Sequence, residues 1–370
     1  MKNNRQVILR WCEIIGMIIL YGVLDTSGSF KYLMVFAISM FILGKHFKEC
    51  TDIWNEIYLF VPGIICCGLG TALALLNGEV TSWTIKTLLF WSLPPLFAFA
   101  MKIIYIDDLS HMMEIQFYGC AGAYLITKGY YLYHVGQFES PFAFSFGLFA
   151  IYFAYRKKWL FSAISIFIMY LANKKIALLA LVCCFVLMLL IKIFKYSKKC
   201  IVGLGLLSFS AYIFYVYSIL SGFFQEFCIK YGIDTSYRAL VYEKIVANIP
   251  SNYYLGKGLG ATNAMLKLVL EPGLYQWFEN PHNDFLKLFV DLGTVGFIAF
   301  LSSYFFVFYI AWKKGIKKKG FSQLFVIITF FMLLMLTDNV SIYIIFLVPM
   351  HSICLTLVNE KGKTDENHAK

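Results

Sequence analysis

Asn280-Pro281-His282-Asn283-Asp284-Phe285-Leu286 runs into Asp291-Leu292-Gly293-Thr294-Val295-Gly296 where a long polar interruption, Ser221 to Pro281, returns to membrane-like sequence. Ahead of that interruption the chain reads as a succession of apolar segments. The junction is therefore where polar chemistry can meet a bilayer, and a turn of His and Asn leads directly into an apolar helix there.

Working outward, composition fixes the class. The 370 residues are 60% hydrophobic and 14% charged, with mean hydropathy +0.71. A soluble chain of this length would expose too much apolar surface, so the fold class is all-α and polytopic in a membrane. Apolar runs of the required length give about twelve spans, near 7–24, 29–45, 57–77, 84–106, 112–128, 138–155, 158–173, 175–193, 200–220, 285–312, 321–337 and 339–358. The region 158–193 is divided at Asn173-Lys174-Lys175, because one helix over all of it would overshoot the bilayer. The start, Met1 to Leu24, reads as an uncleaved first span, since Arg10 and Glu13 interrupt it and no small-residue cleavage site follows. Arg10 and Glu13 are also spaced to pair on one helix face. The whole chain, 1–370, is expected to form one integral membrane domain. Its one large extracytoplasmic loop is 221–281, with the site residues gathered in 221–284.

The net charge of +11 does not imply nucleic acid, because the cations collect in short loops between spans. One set of alternating loops holds Lys45 and Lys48, Arg156 to Lys158, Lys192 to Lys199, and Lys313 to Lys319. The other set (25–28, 78–83, 129–137, 174–175 and 338) lacks Lys and Arg except at Lys174 and Lys175. The positive-inside rule then predicts both termini in the cytoplasm and the 221–281 loop outside. Lys174 and Lys175 break the rule: they are either snorkelling interfacial lysines or part of an anion site at the outer surface. The cysteines fall mostly within spans and suggest nothing about disulfides, and none has metal-ligand spacing with histidine, so no metal centre is expected.

The loop carries structured signals. Leu240, Val241, Ile245, Val246 and Ile249 form a helical stripe, with an N-cap among Asp234, Thr235 and Ser236 and a stop at Pro250. The predicted amphipathic helix lies on the membrane or on the bundle, with Arg238 in its first turn as a phosphate contact or a plain surface arginine. Gly256-Lys257-Gly258-Leu259-Gly260 is neither a Walker loop nor a dinucleotide fingerprint. It can present N–H groups and Lys257 to an anion, with Gly258 supporting, or simply make a tight turn. At the junction Asn280 reads as N-cap and Pro281 as the first helical residue, which places His282 in the first turn, where the helix end favours a neutral imidazole able to accept a hydroxyl proton. Asp284, Lys287 and Asp291 make a polar stripe, and Gly293 and Gly296 a small surface for helix packing.

Pro281-His282-Asn283-x-x-Leu286 followed by Gly293-x-x-Gly296 resembles the signature of the O-antigen ligase and O-antigen polymerase superfamily. So do Tyr237-Arg238-Ala239-Leu240, the Gly-x-Gly-x-Gly turn and the late large loop. The resemblance covers the topology, with its motifs between about 173 and 296. It implies a bacterial plasma-membrane glycosyltransferase that needs no metal or cofactor, uses undecaprenyl-diphosphate-linked glycans and builds a capsule, exopolysaccharide or O-antigen. Its partners would be membrane lipids, a chain-length regulator and a flippase. It further implies His282 as the catalytic histidine, supported by Asn283, and Arg238 as the arginine that handles the diphosphate. Lys174 or Lys175 stands where many members have an arginine. Near 130–140, where many members carry another, this chain has Tyr133, His134 and Glu139. The expected activity is repeat-unit polymerisation. A ligase with another acceptor and a lipid-linked oligosaccharide flippase are the alternatives; against the flippase, no internal repeat is found.

Overall fold

Helices fill each apolar segment marked in the sequence. The computed structural model describes residues 2–26, 28–46, 55–136, 138–250 and 253–359; Lys48 lies outside them, as do Met1 and 360–370. In chain order come α1 (Lys2–Leu24), α2 (Phe30–Lys45), α3 (Val61–Leu76, entered through a 3-10 turn), α4 (Ser82–Ile104), α5 (Leu109–Val135), α6 (Phe142–Tyr155), α7 (Trp159–Leu171), α8 (Lys175–Ile193) and α9 (Lys198–Leu220). The polar interruption folds into α10 (Phe223–Lys230), α11 (Arg238–Val246), α12 (Ala261–Val269) and α13 (Pro272–Tyr275). The chain then re-enters the bundle as α14 (Asp284–Lys313), α15 (Lys318–Met335) and α16 (Ile344–Asn359), with a 3-10 turn at Val340–Ile342. Among the described residues there is no strand, and six helices are long and apolar enough to cross a membrane. The protein is thus an all-helical polytopic membrane protein. α6, α7 and α16 are shorter apolar helices.

The apolar region 158–193 does divide as its lysines suggested. α7 ends at Leu171, Asn173 takes a left-handed turn (φ +47°), and α8 begins at Lys175. α6 is apolar on all sides and buried from Phe142 to Ala154, as expected of a helix at the centre of a bundle. In α1 the expected Arg10–Glu13 pair gives way to another: Glu13 lies 3.1 Å from Nε2 of His111 on α5.

The short loops sort into two ends. The start of α6, the end of α7 and the 3-10 turn before α16 gather at the end that carries the 221–281 segment. There Ser140 N–H donates to Ala172 O at 3.0 Å. Lys102–Glu56 (2.5 Å), His111–Glu13 and Lys158–Glu114 mark the opposite end.

The 221–281 segment has its own small core. Val241, Tyr242 and Ile245 of α11 pack with Leu266, Leu270 and Phe278 against Ile219 of α9 and Leu286 and Val290 of α14. The predicted amphipathic helix therefore lies on the bundle. Leu240 of the expected stripe is instead 40% exposed. Thr235 supplies the capping oxygen, accepting from Ala239 N–H at 3.3 Å, while Tyr237 occupies the N-cap position.

Candidate active site

The helix that carries the His-Asn motif starts later than its sequence indicates. Asn283 is the N-cap of α14, accepting from Leu286 N–H at 3.0 Å, and Asp284 is the first helical residue. The Asn280 side chain is engaged elsewhere: its Oδ1 accepts from Asn263 Nδ2 at 2.9 Å and from Lys287 Nζ at 3.1 Å. His282 is therefore outside the first turn, in a left-handed conformation (φ +51°). The expected electrostatic neighbour, a helix end, is replaced by a carboxylate.

That carboxylate is Asp338, which precedes the 3-10 turn before α16. Its Oδ1 lies 3.6 Å from Nδ1 of His282, beyond hydrogen-bond length, and accepts from Asn339 N–H at 2.7 Å. Its Oδ2 accepts from Lys174 Nζ at 3.2 Å, and Lys174 also meets Glu139 at 2.7 Å. Burial would push the Asp338 carboxyl up, but the imidazole and ammonium beside it prevail and bring it down to about 2. Burial likewise opposes the charge on Lys174, yet Asp338 and Glu139 hold its ammonium above the ordinary lysine range. Lys174 therefore stands behind Asp338 as a neutralised cation.

The two segments are locked together next door. Asp284 accepts from both the N–H (2.8 Å) and the Oγ (2.7 Å) of Ser341, with all these groups buried. Phe278 meets the His282 ring edge-on at 5.6 Å, and Tyr242 OH donates to the His282 carbonyl at 3.4 Å. Burial raises the Tyr242 phenol to about 12, keeping it a donor. His282 is thus fixed on several sides while its side chain remains 28% exposed.

The exposed part of His282 opens on a cleft of about 940 Å³ that Arg238, Lys244, Glu139 and Glu271 also line. Among the described residues no acidic side chain pairs with Arg238, which leaves its planar fork available to an anion. The structure thus brings His282 and Arg238 to one cavity. Asn283 supports from below: it is fully buried, and its Nδ2 donates to Tyr215 OH at 3.4 Å. Lys175 is exposed and does not line the cleft, nor does Lys257, which pairs with Glu79 at 3.5 Å.

The Gly-x-Gly-x-Gly segment takes the turn alternative. Gly258 N–H donates to Asp291 O at 2.8 Å and Leu259 N–H to Gly70 O at 3.0 Å, which presses the segment onto α3 and α14. Asp291 caps α12, accepting from Gly260 N–H, Thr262 N–H and Thr262 Oγ1 at 3.1, 2.8 and 2.7 Å. Gly293 does more than provide a small surface. Its backbone (φ +73°, ψ 179°) breaks α14, and a Cβ there would come within 2.4 Å of Gly256 N. The turn passes through that gap, and Thr294 N–H bonds Tyr253 O at 3.0 Å. Asp284, Lys287 and Asp291 form the anticipated polar stripe, and all are buried.

On the far side of α11 lies an apolar groove of about 500 Å³ lined by Val216, Val246, Ile249, Phe289 and Phe297. The same helix therefore borders a polar cleft at its start and an apolar groove at its end. Among the described residues no group of three or more His, Cys, Asp and Glu side chains is placed to hold a metal ion.

Asp338 was the residue that motif reading missed. Its signal was present as an isolated acid between two apolar spans, a position where an ionisable group needs a reason. Lys244, lying inside the helical pattern, gave none.

Residues 160–301 match the family model described as O-antigen ligase. The matched segment holds Lys174, Arg238 and His282, and it agrees with the resemblance carried by the His-Asn and Arg motifs. It supports a membrane enzyme of the O-antigen ligase or polymerase type. No curated protein matches the chain.

Proposed function

From this O-antigen ligase domain at residues 160–301, we propose that the chain polymerises undecaprenyl-diphosphate-linked oligosaccharide repeat units on the outer face of the bacterial plasma membrane. The observation that carries the reading is the convergence of His282, backed by Asp338, and the unpaired Arg238 on one cleft. A hydroxyl of the acceptor sugar attacks the anomeric carbon of the donor. With Nδ1 turned to Asp338, Nε2 of His282 is the nitrogen able to take the hydroxyl proton. The C–O bond to the diphosphate breaks as the new glycosidic bond forms, and charge develops on the departing diphosphate. Arg238 is a fixed, planar cation for that charge. Asp338 faces the imidazole and stabilises the imidazolium electrostatically, while Lys174 keeps Asp338 ionised. The apolar groove at the other end of α11 has the chemistry of a polyprenyl chain.

The description of the matched family as O-antigen ligase favours a second reading, transfer of a finished glycan to another acceptor. Analysis of carrier-linked glycans in cells lacking the protein separates the two. A polymerase defect leaves single repeat units on the carrier, whereas a ligase defect leaves long polymer there. Carrier-linked glycans identical to those of the parent cell would count against both.

A further inference from the structure

Two large aromatic side chains of the cleft are exposed although neighbouring positions offered burial. Trp277 is 79% exposed while the adjacent Phe278 is buried against His282. Tyr237 is 69% exposed and immediately precedes Arg238. Both line the same cleft, and each is the chain neighbour of a residue at its reactive end.

The backbone that presents Tyr237 is strained. Ser236 (φ +49°) and Tyr237 (φ +64°) are consecutive non-glycine residues in the left-handed region, which side chains disfavour. Asp234 Oδ1 holds the turn by accepting from Ser236 N–H at 2.8 Å. Strain kept beside an unpaired arginine is the kind that marks ligand contact. Lys244, Glu271 and Glu139, groups that donate to and accept from hydroxyls, line the same cleft. Exposed aromatic faces combined with ringed polar groups match a sugar: its C–H face covers a ring while its hydroxyls reach the charges.

We propose that Trp277 and Tyr237 form the stacking subsite for the sugar rings next to the diphosphate, with Lys244 and Glu271 selecting among their hydroxyl patterns. The subsite rests on the lipid-linked-glycan reading and adds to it the residues that choose the sugar. Trp277 and Tyr237 take no part in bond making.

The test compares two probes in native mass spectrometry of the purified full chain. One is the lipid-linked saccharide extracted from cells carrying His282→Ala; the other is undecaprenyl diphosphate without sugar. Trp277→Ala should weaken the first by about tenfold, the equivalent of about 1.4 kcal/mol, and leave the second unchanged. Tyr237→Asn, which removes the ring while suiting a left-handed backbone, should do the same. Trp277→Phe should retain most of the affinity. Equal losses for both probes, as an interfacial anchor would give, or no loss for either, would overturn the subsite. Wild-type protein that binds neither probe would overturn the lipid-linked-substrate reading, and the subsite with it.

Discussion

Oδ1 of Asp338 lies 3.6 Å from Nδ1 of His282, although they are 56 positions apart in the chain with the whole of α14 and α15 between them. The proximity depends on the Asp284–Ser341 bonds, which tie the start of α14 to the turn after Asp338. A buried acid held in this way has a single use for its second oxygen, and Lys174 takes it. The arrangement orients an imidazole toward an open cleft.

Asp338→Asn should lower turnover by about 10–100-fold, by analogy with the loss seen when the carboxylate partner of a metal-bound histidine is removed. Substrate affinity should change little, since Asp338 does not line the cleft. The stability of the purified protein should carry the same signature. The Asp338 carboxyl is about 2 when folded and about 3.9 when unfolded, so its contribution is present above about pH 4 and disappears as pH falls through about 2. Wild type should melt above Asp338→Asn at pH 6, with the gap closing between pH 4 and 2. A constant gap over that interval would remove the ion-pair account.

His282→Ala should reduce turnover by about 10²–10⁴-fold, the usual contribution of a positioned base. Carrier-linked repeat units should accumulate in cells that make this variant at wild-type level. An active His282→Ala enzyme would mean that the acceptor is deprotonated by another group.

Most of the fold was legible because bilayer crossing imposes a strong pattern: a long apolar run becomes a helix, as α8 and α9 show. The site was legible only where its residues are neighbours in a motif. His282, Asn283 and Arg238 carried such signals. Asp338 was marked only by its isolation between two apolar spans, because what places it is the Asp284–Ser341 link between the start of α14 and the 3-10 turn, which no motif encodes. The start of α14 was misread for a similar reason. Asn280 and Asn283 are both competent caps, and the choice was made by Asn263 and Lys287, which take the Asn280 side chain. The twin lysines 174 and 175 were equivalent in sequence and became different only when α8 pointed one of them at Asp338.

That difference gives a direct comparison. Lys174→Ala leaves Asp338 and Glu139 without their shared cation and should impair both stability and turnover. Lys175→Ala, at an exposed position, should behave as wild type in a melting assay and in polymer formation. Equal effects would mean that the ion pairs at Lys174 carry no function.

Arg238→Ala should abolish polymer formation while protein level holds, because among the described residues no partner loses a bond. Arg238→Lys should rescue poorly, since it keeps the charge and loses the bidentate fork. Polymer length and amount, read from extracted glycan on gels, distinguish these outcomes, and full activity of Arg238→Ala would reduce this residue to surface charge.

The lysine asymmetry of the loops predicts orientation. In a cysteine-free background, Lys257→Cys should react with a membrane-impermeant maleimide in intact cells, and Lys318→Cys only after permeabilisation. Both positions are exposed, so accessibility is not in question. Labelling of both from the same side would place the cleft and Lys318 on one face and contradict the proposed topology.

Gly293 and Gly256 form a backbone crossing that should tolerate no side chain. A Cβ at Gly293 would lie 2.4 Å from Gly256 N, and one at Gly256 would lie 2.3 Å from Asp291 O. These obstacles are backbone atoms held by the Gly258–Asp291 and Thr294–Tyr253 bonds, so neither can rotate aside. Gly293 adds a backbone conformation, φ +73° with ψ 179°, that is essentially restricted to glycine. Gly293→Ala and Gly256→Ala should each lower the melting temperature in detergent. Loss of activity should follow, because the crossing positions Asp291, which caps α12, and with it the wall that packs on α11. Gly273→Ala serves as the control: it lies in the same segment, lines the cleft and has open space around its Cβ. It should melt with wild type. If Gly293→Ala does so too, the break in α14 is not held by the turn that crosses it.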